Sequence, residues 1–242
     1  MKTQTYNLTN ENVTLTSYVL DTSDEMKYNN VRPALLLFPG GGYSMCSDRE
    51  AEPIAMHFLA MGINVFILRY SLKEKAVFPR PLEDADEAMK FITDKAAEFH
   101  IDIKKIAVCG FSAGGHLAAA LGTMGKIRPA AMILGYPCIT EDICNSPVLS
   151  NPVPTLDDKV DDKTPPAYIF AASDDGCVPI KSSLDMASAL SKHKIPFEMY
   201  ITEKGGHGFA TGDYVTMQNG GQPELFDWIP MCKRWLKKRF FA

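Results

Sequence analysis

Gly110-Phe111-Ser112-Ala113-Gly114 puts a serine between two glycines, at the spacing of a sharp turn from a strand into a helix. Before it, Ile106-Ala107-Val108-Cys109 is small, apolar and partly β-branched, as a strand buried on both faces requires. After it, His116-Leu117-Ala118-Ala119-Ala120-Leu121 are helix formers, with Gly122 and Gly125 as stops. The motif therefore carries its own strand-turn-helix context. Such a turn strains the serine backbone and lifts its hydroxyl above the end of a sheet. The free N–H groups of the new helix then point toward any anion that forms there. That arrangement suits acyl transfer, in which an ester carbonyl becomes an oxyanion; a tight turn with an idle serine is the plainer alternative.

A serine hydroxyl needs a base, a group to orient that base, and oxyanion donors. The chain has five histidines. His207 lies in the glycine-rich stretch Lys204-Gly205-Gly206-His207-Gly208-Phe209, after the apolar run Phe197-Glu198-Met199-Tyr200-Ile201. A loop of that kind at a strand end can bring an imidazole over a distant serine. His116 sits one helical turn beyond Ser112 and would project along the helix, so packing or a supporting hydrogen bond is its expected task. His57 and His193 fall in amphipathic helical patterns and His100 ends one. By position and elimination, His207 is the candidate base.

The orienting acid should lie between serine and histidine in the chain. Ala167-Tyr168-Ile169-Phe170-Ala171-Ala172 reads as a buried strand, followed by the turn Ser173-Asp174-Asp175-Gly176-Cys177-Val178-Pro179. Of the two adjacent acids, one is expected to meet His207 and the other to cap the turn or the next helix. Spacing does not choose between them. Cys177, close to a helix start, is a candidate reactive thiol. Upstream, Ala34-Leu35-Leu36-Leu37-Phe38 enters Pro39-Gly40-Gly41-Gly42-Tyr43. Three successive glycines cost backbone entropy and pack nothing, so their use is close approach of main-chain N–H groups to a ligand. The lysine and Ser/Thr that follow the glycines of a phosphate-binding loop are missing, which leaves an oxyanion hole shared with the amide after Ser112.

With these stretches in hand, the chain resembles the α/β-hydrolase superfamily and, within it, the acetylxylan-esterase-like or carbohydrate-esterase-like small serine hydrolases. The resemblance rests on Pro39-Gly40-Gly41-Gly42-Tyr43, Asp48-Arg49-Glu50-Ala51-Glu52-Pro53, Leu68-Arg69-Tyr70-Ser71, Gly110 through Leu117, Asp174-Asp175 ahead of Val178-Pro179, and Gly205-Gly206-His207-Gly208, all in the family's order. It implies a triad of Ser112, His207 and Asp175, and oxyanion donors at the amides of Gly41, Gly42 and Ala113. Pro39 stands where many esterases of the superfamily carry histidine, a version familiar in the sugar-esterase-like group. No metal or organic cofactor is implied. Tyr43, beside the oxyanion glycines, is either a substrate contact or a packing residue.

Composition agrees with one domain over residues 1–242: 46% of residues are hydrophobic and 22% charged, enough to bury a sizeable core. The net charge of −4 speaks against nucleic-acid binding, and the basic residues Lys233 to Arg239 interleave with apolar ones as on the solvated face of a helix. Met1 to Tyr6 lacks a signal-peptide apolar region and no run spans a bilayer, so a cytoplasmic enzyme with no membrane partner is expected. The six cysteines show no disulfide or metal spacing. Whether the chain forms a homo-oligomer stays open.

Strands are predicted near Thr5–Leu8, Val13–Leu20, Ala34–Phe38, Asn64–Arg69, Ile106–Cys109, Ala130–Leu134, Ala167–Ala172 and Phe197–Ile201. Helices are predicted over Arg49–Met61, Leu82–Phe99, Ala113–Met124, Ile180–His193 and Glu224–Phe240. The alternation gives an α/β fold with a doubly wound, mostly parallel sheet, helices on both faces, and ligands beyond the strands' carboxyl ends. Residues 136–166, rich in Pro, Asp, Ser and Thr, read as a short polar lid with little apolar surface to offer a long acyl chain. The expected activity is hydrolysis of short acyl esters, with acetylated oligosaccharides as the substrate the resemblance suggests. The alternatives are an exopeptidase of the prolyl-oligopeptidase type, which normally brings an added gating domain, and a ligand-binding relative without catalysis.

Overall fold

Alternation along the apolar strands sorts the core into two layers. Ala34, Leu36 and Phe38 pack on one side of the sheet with Phe66, Leu68, Ile106 and Val108. Leu35 and Leu37 pack on the other with Val65, Ile67, Ala107 and Cys109. A strand apolar on both faces has to be covered on both, which is why helices flank the sheet on either side.

The computed structural model describes residues 1–27, 30–216 and 227–241. The strands are β1 (Lys2–Asn7), β2 (Thr14–Val19), β3 (Arg32–Phe38), β4 (Asn64–Arg69), β5 (Ile101–Phe111), β6 (Ala131–Gly135), β7 (Ala167–Ala172) and β8 (Phe197–Thr202). They form one eight-stranded sheet in the order β1-β2-β4-β3-β5-β6-β7-β8. β1 pairs antiparallel with β2 and β2 with β4, while every pair from β4 to β8 is parallel. The helices are α1 (Glu52–Leu59), α2 (Arg80–Asp94), α3 (Ala113–Met124), α4 (Glu141–Cys144), α5 (Ile180–Lys192) and α6 (Trp228–Phe240). Buried residues of α2, α3 and α5 belong to the first layer, and those of α1 and α6 to the second.

Several boundaries differ from the sequence-based expectation for physical reasons. α2 starts at Arg80, because Pro81 in a first turn forfeits no hydrogen bond. It stops at Asp94 rather than Phe99: a turn in which Ile101 N donates to Ala96 O (2.8 Å) and His100 takes φ 54° swings the chain into β5. β5 begins at Ile101, with a half-exposed start that apolar patterning does not reveal. The helix expected from Arg49 is instead a 3₁₀ turn, Asp48–Glu50, followed by α1, with a break at Ala51. Of the helix predicted over 224–240, residues 224–226 lie outside the described residues and the helix proper begins at Trp228. Among the described residues, no helix is long and apolar enough to cross a membrane.

Residues 136–166, expected as a short polar lid, carry an apolar inner face that composition hides. The segment contains α4 and a 3₁₀ turn, Asp157–Lys159, and it buries Ile139, Ile143, Cys144, Leu149, Val153, Leu156 and Val160 in the first core layer. It is a strap whose apolar side chains face inward. The polar residues that dominate its composition are its solvated surface.

Candidate active site

Four chain segments leave the carboxyl ends of β3, β5, β7 and β8 at the same edge of the sheet, where an open parallel sheet offers its binding crevice. After β5, Ser112 takes φ 54° and ψ −118°, a conformation most non-glycine residues avoid. Backbone bonds hold it there. Ser112 N donates to Gly135 O at the end of β6 (2.9 Å), and Ser112 O accepts from His116 N (2.9 Å) and Cys138 N (3.2 Å). The glycines are steric requirements: a Cβ on Gly110 would lie 2.0 Å from Gly114 O, and one on Gly114 would lie 2.1 Å from Phe38 O.

After β8, the loop carries His207 to the serine. His207 Nε2 lies 2.9 Å from Ser112 Oγ, and His207 Nδ1 lies 2.7 Å from Asp175 Oδ2. With Nδ1 protonated and donating to the carboxylate, Nε2 is free to accept the serine proton. The Asp175 side chain is only 1% exposed. Its other oxygen, Oδ1, accepts from the amides of Cys177 and Val178, both at 2.9 Å. Asp175 thus both caps its turn and meets the histidine, tasks the sequence divided between two acids. Asp174, exposed, accepts at Oδ1 from Gly206 N (2.8 Å), one residue before His207. It steadies the loop without touching the imidazole.

After β3, Gly41 and Gly42 adopt φ 129° and 63°, open to glycine at little cost. Gly40 N already donates to Glu50 Oε2 (2.7 Å). The amides of Gly41, Gly42 and Ala113, by contrast, donate to no acceptor among the described residues. Gly41, Gly42, Ser112 and His207 line one cleft of about 390 Å³, together with the apolar Met45, Val148 and Cys177 and the polar Ser47, Asp48, Arg49 and Glu50. A larger depression of about 600 Å³, among Asp142, Asp157, Asp158 and Lys181, holds neither nucleophile nor histidine.

Tyr43 is not a substrate contact. It is fully buried, and its hydroxyl donates to His116 Nδ1 (2.8 Å) while His116 Nε2–H donates to Pro154 O (2.9 Å). The turn at the glycines, with φ 59° at Tyr43 itself, sends the ring into the core instead of the cleft. Burial lowers the His116 pKa to about 4, so the ring is neutral, as accepting the tyrosine hydrogen bond requires. Cys177 lines the cleft, but its partial burial and the nearby Asp175 charge push its thiol pKa up, against the expectation of a reactive thiolate. All six thiols are free. Among the described residues, no group of three or more His, Cys, Asp or Glu side chains is arranged to hold a metal ion.

Sequence reasoning gave Glu50, Tyr136 and Arg49 no part in the site. Glu50 is 2% exposed. Its Oε1 accepts from the Tyr136 hydroxyl (2.7 Å), which accepts in turn from Ala210 N (3.1 Å), and Arg49 Nη1 donates to Gly208 O (2.9 Å). In a stretch as charged as Asp48-Arg49-Glu50, no periodicity marks which side chain turns inward.

The BD-FAE family matches residues 20–134. Endo-1,4-beta-xylanase B of Butyrivibrio fibrisolvens is 34% identical over 79% of this chain, which covers 35% of that protein. The acetylxylan esterase of Xylanibacter ruminicola is 29% identical over 81% of this chain and 45% of its own length. The chain thus spans less than half of either curated relative. The crystal structure of MGS-M1, an alpha/beta hydrolase enzyme from a Medee basin deep-sea metagenome library, superposes with a TM-score of 0.91 at 44% identity, covering 98% of this chain and 97% of that one. The strand order, the glycine-flanked serine turn and this full-length likeness lead to one assignment: the chain belongs to the α/β-hydrolase superfamily.

Proposed function

We propose that this chain is a serine carboxylesterase that removes short acyl groups, acetyl above all, from carbohydrate esters. The observation that carries the chemistry is the single imidazole bonded on one side to Ser112 Oγ at 2.9 Å and on the other to Asp175 Oδ2 at 2.7 Å. Ser112 Oγ attacks the ester carbonyl as His207 Nε2 takes its proton, and Asp175 stabilises the imidazolium and keeps its orientation. The tetrahedral oxyanion accepts from the amides of Gly41, Gly42 and Ala113. Collapse expels the alcohol, which receives the proton back from Nε2–H and leaves an acyl-serine. Water, deprotonated by the same nitrogen, then attacks the acyl group and releases the acid with Ser112 restored.

The substrate reading is supported by the cleft's size and its mixed lining. About 390 Å³ is near the small end of ligand sites, which run from roughly 300 to 1,000 Å³. Met45, Val148 and Cys177 in the lining suit a short acyl group, while Asp48 and Arg49 suit a hydroxyl-rich alcohol. The name of the Xylanibacter ruminicola relative supports an acetylated xylan fragment. Each buried methylene is worth about 0.8 kcal/mol, so a long apolar groove would reward chain length; among the described residues, the apolar side chains lining this cleft are Met45, Val148 and Cys177. The test is hydrolysis of aryl esters from acetyl to octanoyl, alongside acetate release from acetylated xylo-oligosaccharides. Activity is expected to peak at the shortest acyl groups, with sugar acetates cleaved at rates comparable to aryl acetates. A preference for octanoyl esters, or no acetate from any sugar acetate, would overturn the substrate while leaving the esterase chemistry in place.

A further inference from the structure

Glu50 is a buried ionisable group that the mechanism above does not use, and its surroundings are specific. A carboxylate withdrawn from water is costly unless its oxygens are bonded. Here each oxygen accepts from a different segment: Oε2 from Gly40 N in the glycine loop after β3, and Oε1 from the Tyr136 hydroxyl just after β6, both at 2.7 Å. The Tyr136 hydroxyl also accepts from Ala210 N, three residues beyond His207, and the Tyr136 ring meets the His207 ring edge-on with centroids 5.1 Å apart. Gly40 O in turn accepts from Ser47 N (2.9 Å), which closes the loop onto the turn that carries Glu50.

The first of the three glycines is therefore explained by Glu50 and not by the oxyanion. A Cβ on Gly40 would lie 2.6 Å from Glu50 Oε2 and 2.7 Å from Phe111 O. With the Gly40 amide occupied, the next amides of the loop, those of Gly41 and Gly42, are the ones left to face the cleft. Both Glu50 oxygens act as acceptors, which is the bonding of a carboxylate and not of a carboxylic acid. Burial pushes the Glu50 pKa up, and the hydrogen bonds from Tyr136 and Gly40 N oppose that shift by stabilising the charged form.

We infer that Glu50 is a positioning residue, whose carboxylate bridges the Gly40 amide and the Tyr136 hydroxyl to hold the oxyanion loop and the His207 loop in register over Ser112. This rests on the esterase reading above. Glutamine at position 50 keeps an acceptor for Tyr136 but turns an N–H₂ donor toward the Gly40 N–H, so the loop must shift. A misplaced oxyanion donor costs less than a deleted one, whose loss is worth about 10² to 10³ in kcat.

The experiment compares wild type, Glu50→Gln, Tyr136→Phe and the double variant. Its readouts are kcat and KM on an aryl acetate, the inhibition constant of a boronic acid that forms a tetrahedral adduct with the serine, and the thermal midpoint. Glu50→Gln is expected to lower kcat about 10- to 100-fold with KM changed less than about twofold, and to weaken the boronic acid in proportion to kcat/KM. Tyr136→Phe should shift the same quantities in the same direction by less, and the double variant should lose less than the product of the two singles. A folded Glu50→Gln with wild-type kcat, or with KM alone changed, would overturn the inference. Should Glu50→Gln fail to fold, Tyr136→Phe carries the test, and a wild-type kcat there has the same overturning force. The esterase reading fails separately, and takes this inference with it, if the wild type hydrolyses no ester or if Ser112→Ala keeps its turnover.

Discussion

The serine turn after β5 and the glycine loop after β3 both rely on glycine and on positive φ, yet they are held by different means. The serine turn is fixed by contact between neighbouring backbones, with Gly110 against Gly114 and Gly114 against Phe38. The oxyanion loop is fixed by side chains from remote segments. Glu50 binds Gly40 N, the Tyr70 hydroxyl donates to Pro39 O, His116 holds Tyr43, and Ser150 Oγ donates to Tyr43 O (3.1 Å) while Ser150 N donates to Gly42 O (2.8 Å). A turn locked by its own main chain has one geometry or none. A loop tethered by several side chains can lose one tether and keep a weakened form of its function.

The largest effect should come from testing the first half of that contrast. Gly114→Ala forces a Cβ to within 2.1 Å of Phe38 O and 2.5 Å of Pro39 O, both backbone atoms at the centre of the sheet edge. The cost exceeds the roughly 1–3 kcal/mol of ordinary overpacking, because no side chain can rotate away. The variant is expected to be insoluble or to lose its cooperative thermal transition; a soluble Gly114→Ala melting close to wild type would show that the elbow is not sterically locked.

Smaller, and confined to turnover, is the difference between two adjacent acids. Asp175→Asn removes the carboxylate that fixes the His207 tautomer and should lower kcat by about 10⁴. Asp174→Asn keeps an acceptor for Gly206 N at an exposed site and should cost less than about tenfold, since exposed neutral hydrogen bonds contribute about 1 kcal/mol. Equal losses in the two variants would mean that the His207 loop, and not the imidazole's partner, is what the acids serve.

The smallest effect is one of stability and concerns the tether at Tyr43. The His116 pKa is lowered to about 4 in the folded state, against an unfolded value of about 6.5. The folded state therefore binds fewer protons than the unfolded one between these values. The stabilisation is present in full above about pH 6.5 and is lost as pH falls toward 4, on the order of 3 kcal/mol in all. Urea midpoints measured from pH 7 down to 4.5 should fall more steeply for wild type than for His116→Gln. Parallel curves would mean that His116 does not titrate in this window.

The same contrast explains how much could be read from the chain. What is local was legible: β4, β7 and α3 begin and end where apolar runs, glycines and helix formers place them, and the glycines of the serine turn announce a steric requirement. What depends on distant partners was not. Tyr43 next to the oxyanion glycines gave no sign of pointing into the core, because its partner His116 is on α3 and the anchor for His116, Pro154, is on the strap. The strap looked polar because composition averages an apolar inner face with a solvated outer one. Asp174 and Asp175 could not be ranked by spacing, since the deciding atom, His207 Nδ1, comes from a loop 32 residues away. Glu50 sits between charged neighbours, and only the fold brings Gly40 and Tyr136 to it.

In the proposed mechanism Ser112, activated by His207, is the nucleophile. The most direct measurement is reaction of the purified protein with a fluorophosphonate, followed by mass-spectrometric mapping of the adduct. The account predicts one equivalent of phosphonyl group on Ser112, loss of ester turnover in step with labelling, no adduct in Ser112→Ala, and a turnover loss on the order of 10⁶ in that variant. An unlabelled Ser112, or an adduct elsewhere with turnover retained in Ser112→Ala, would contradict it.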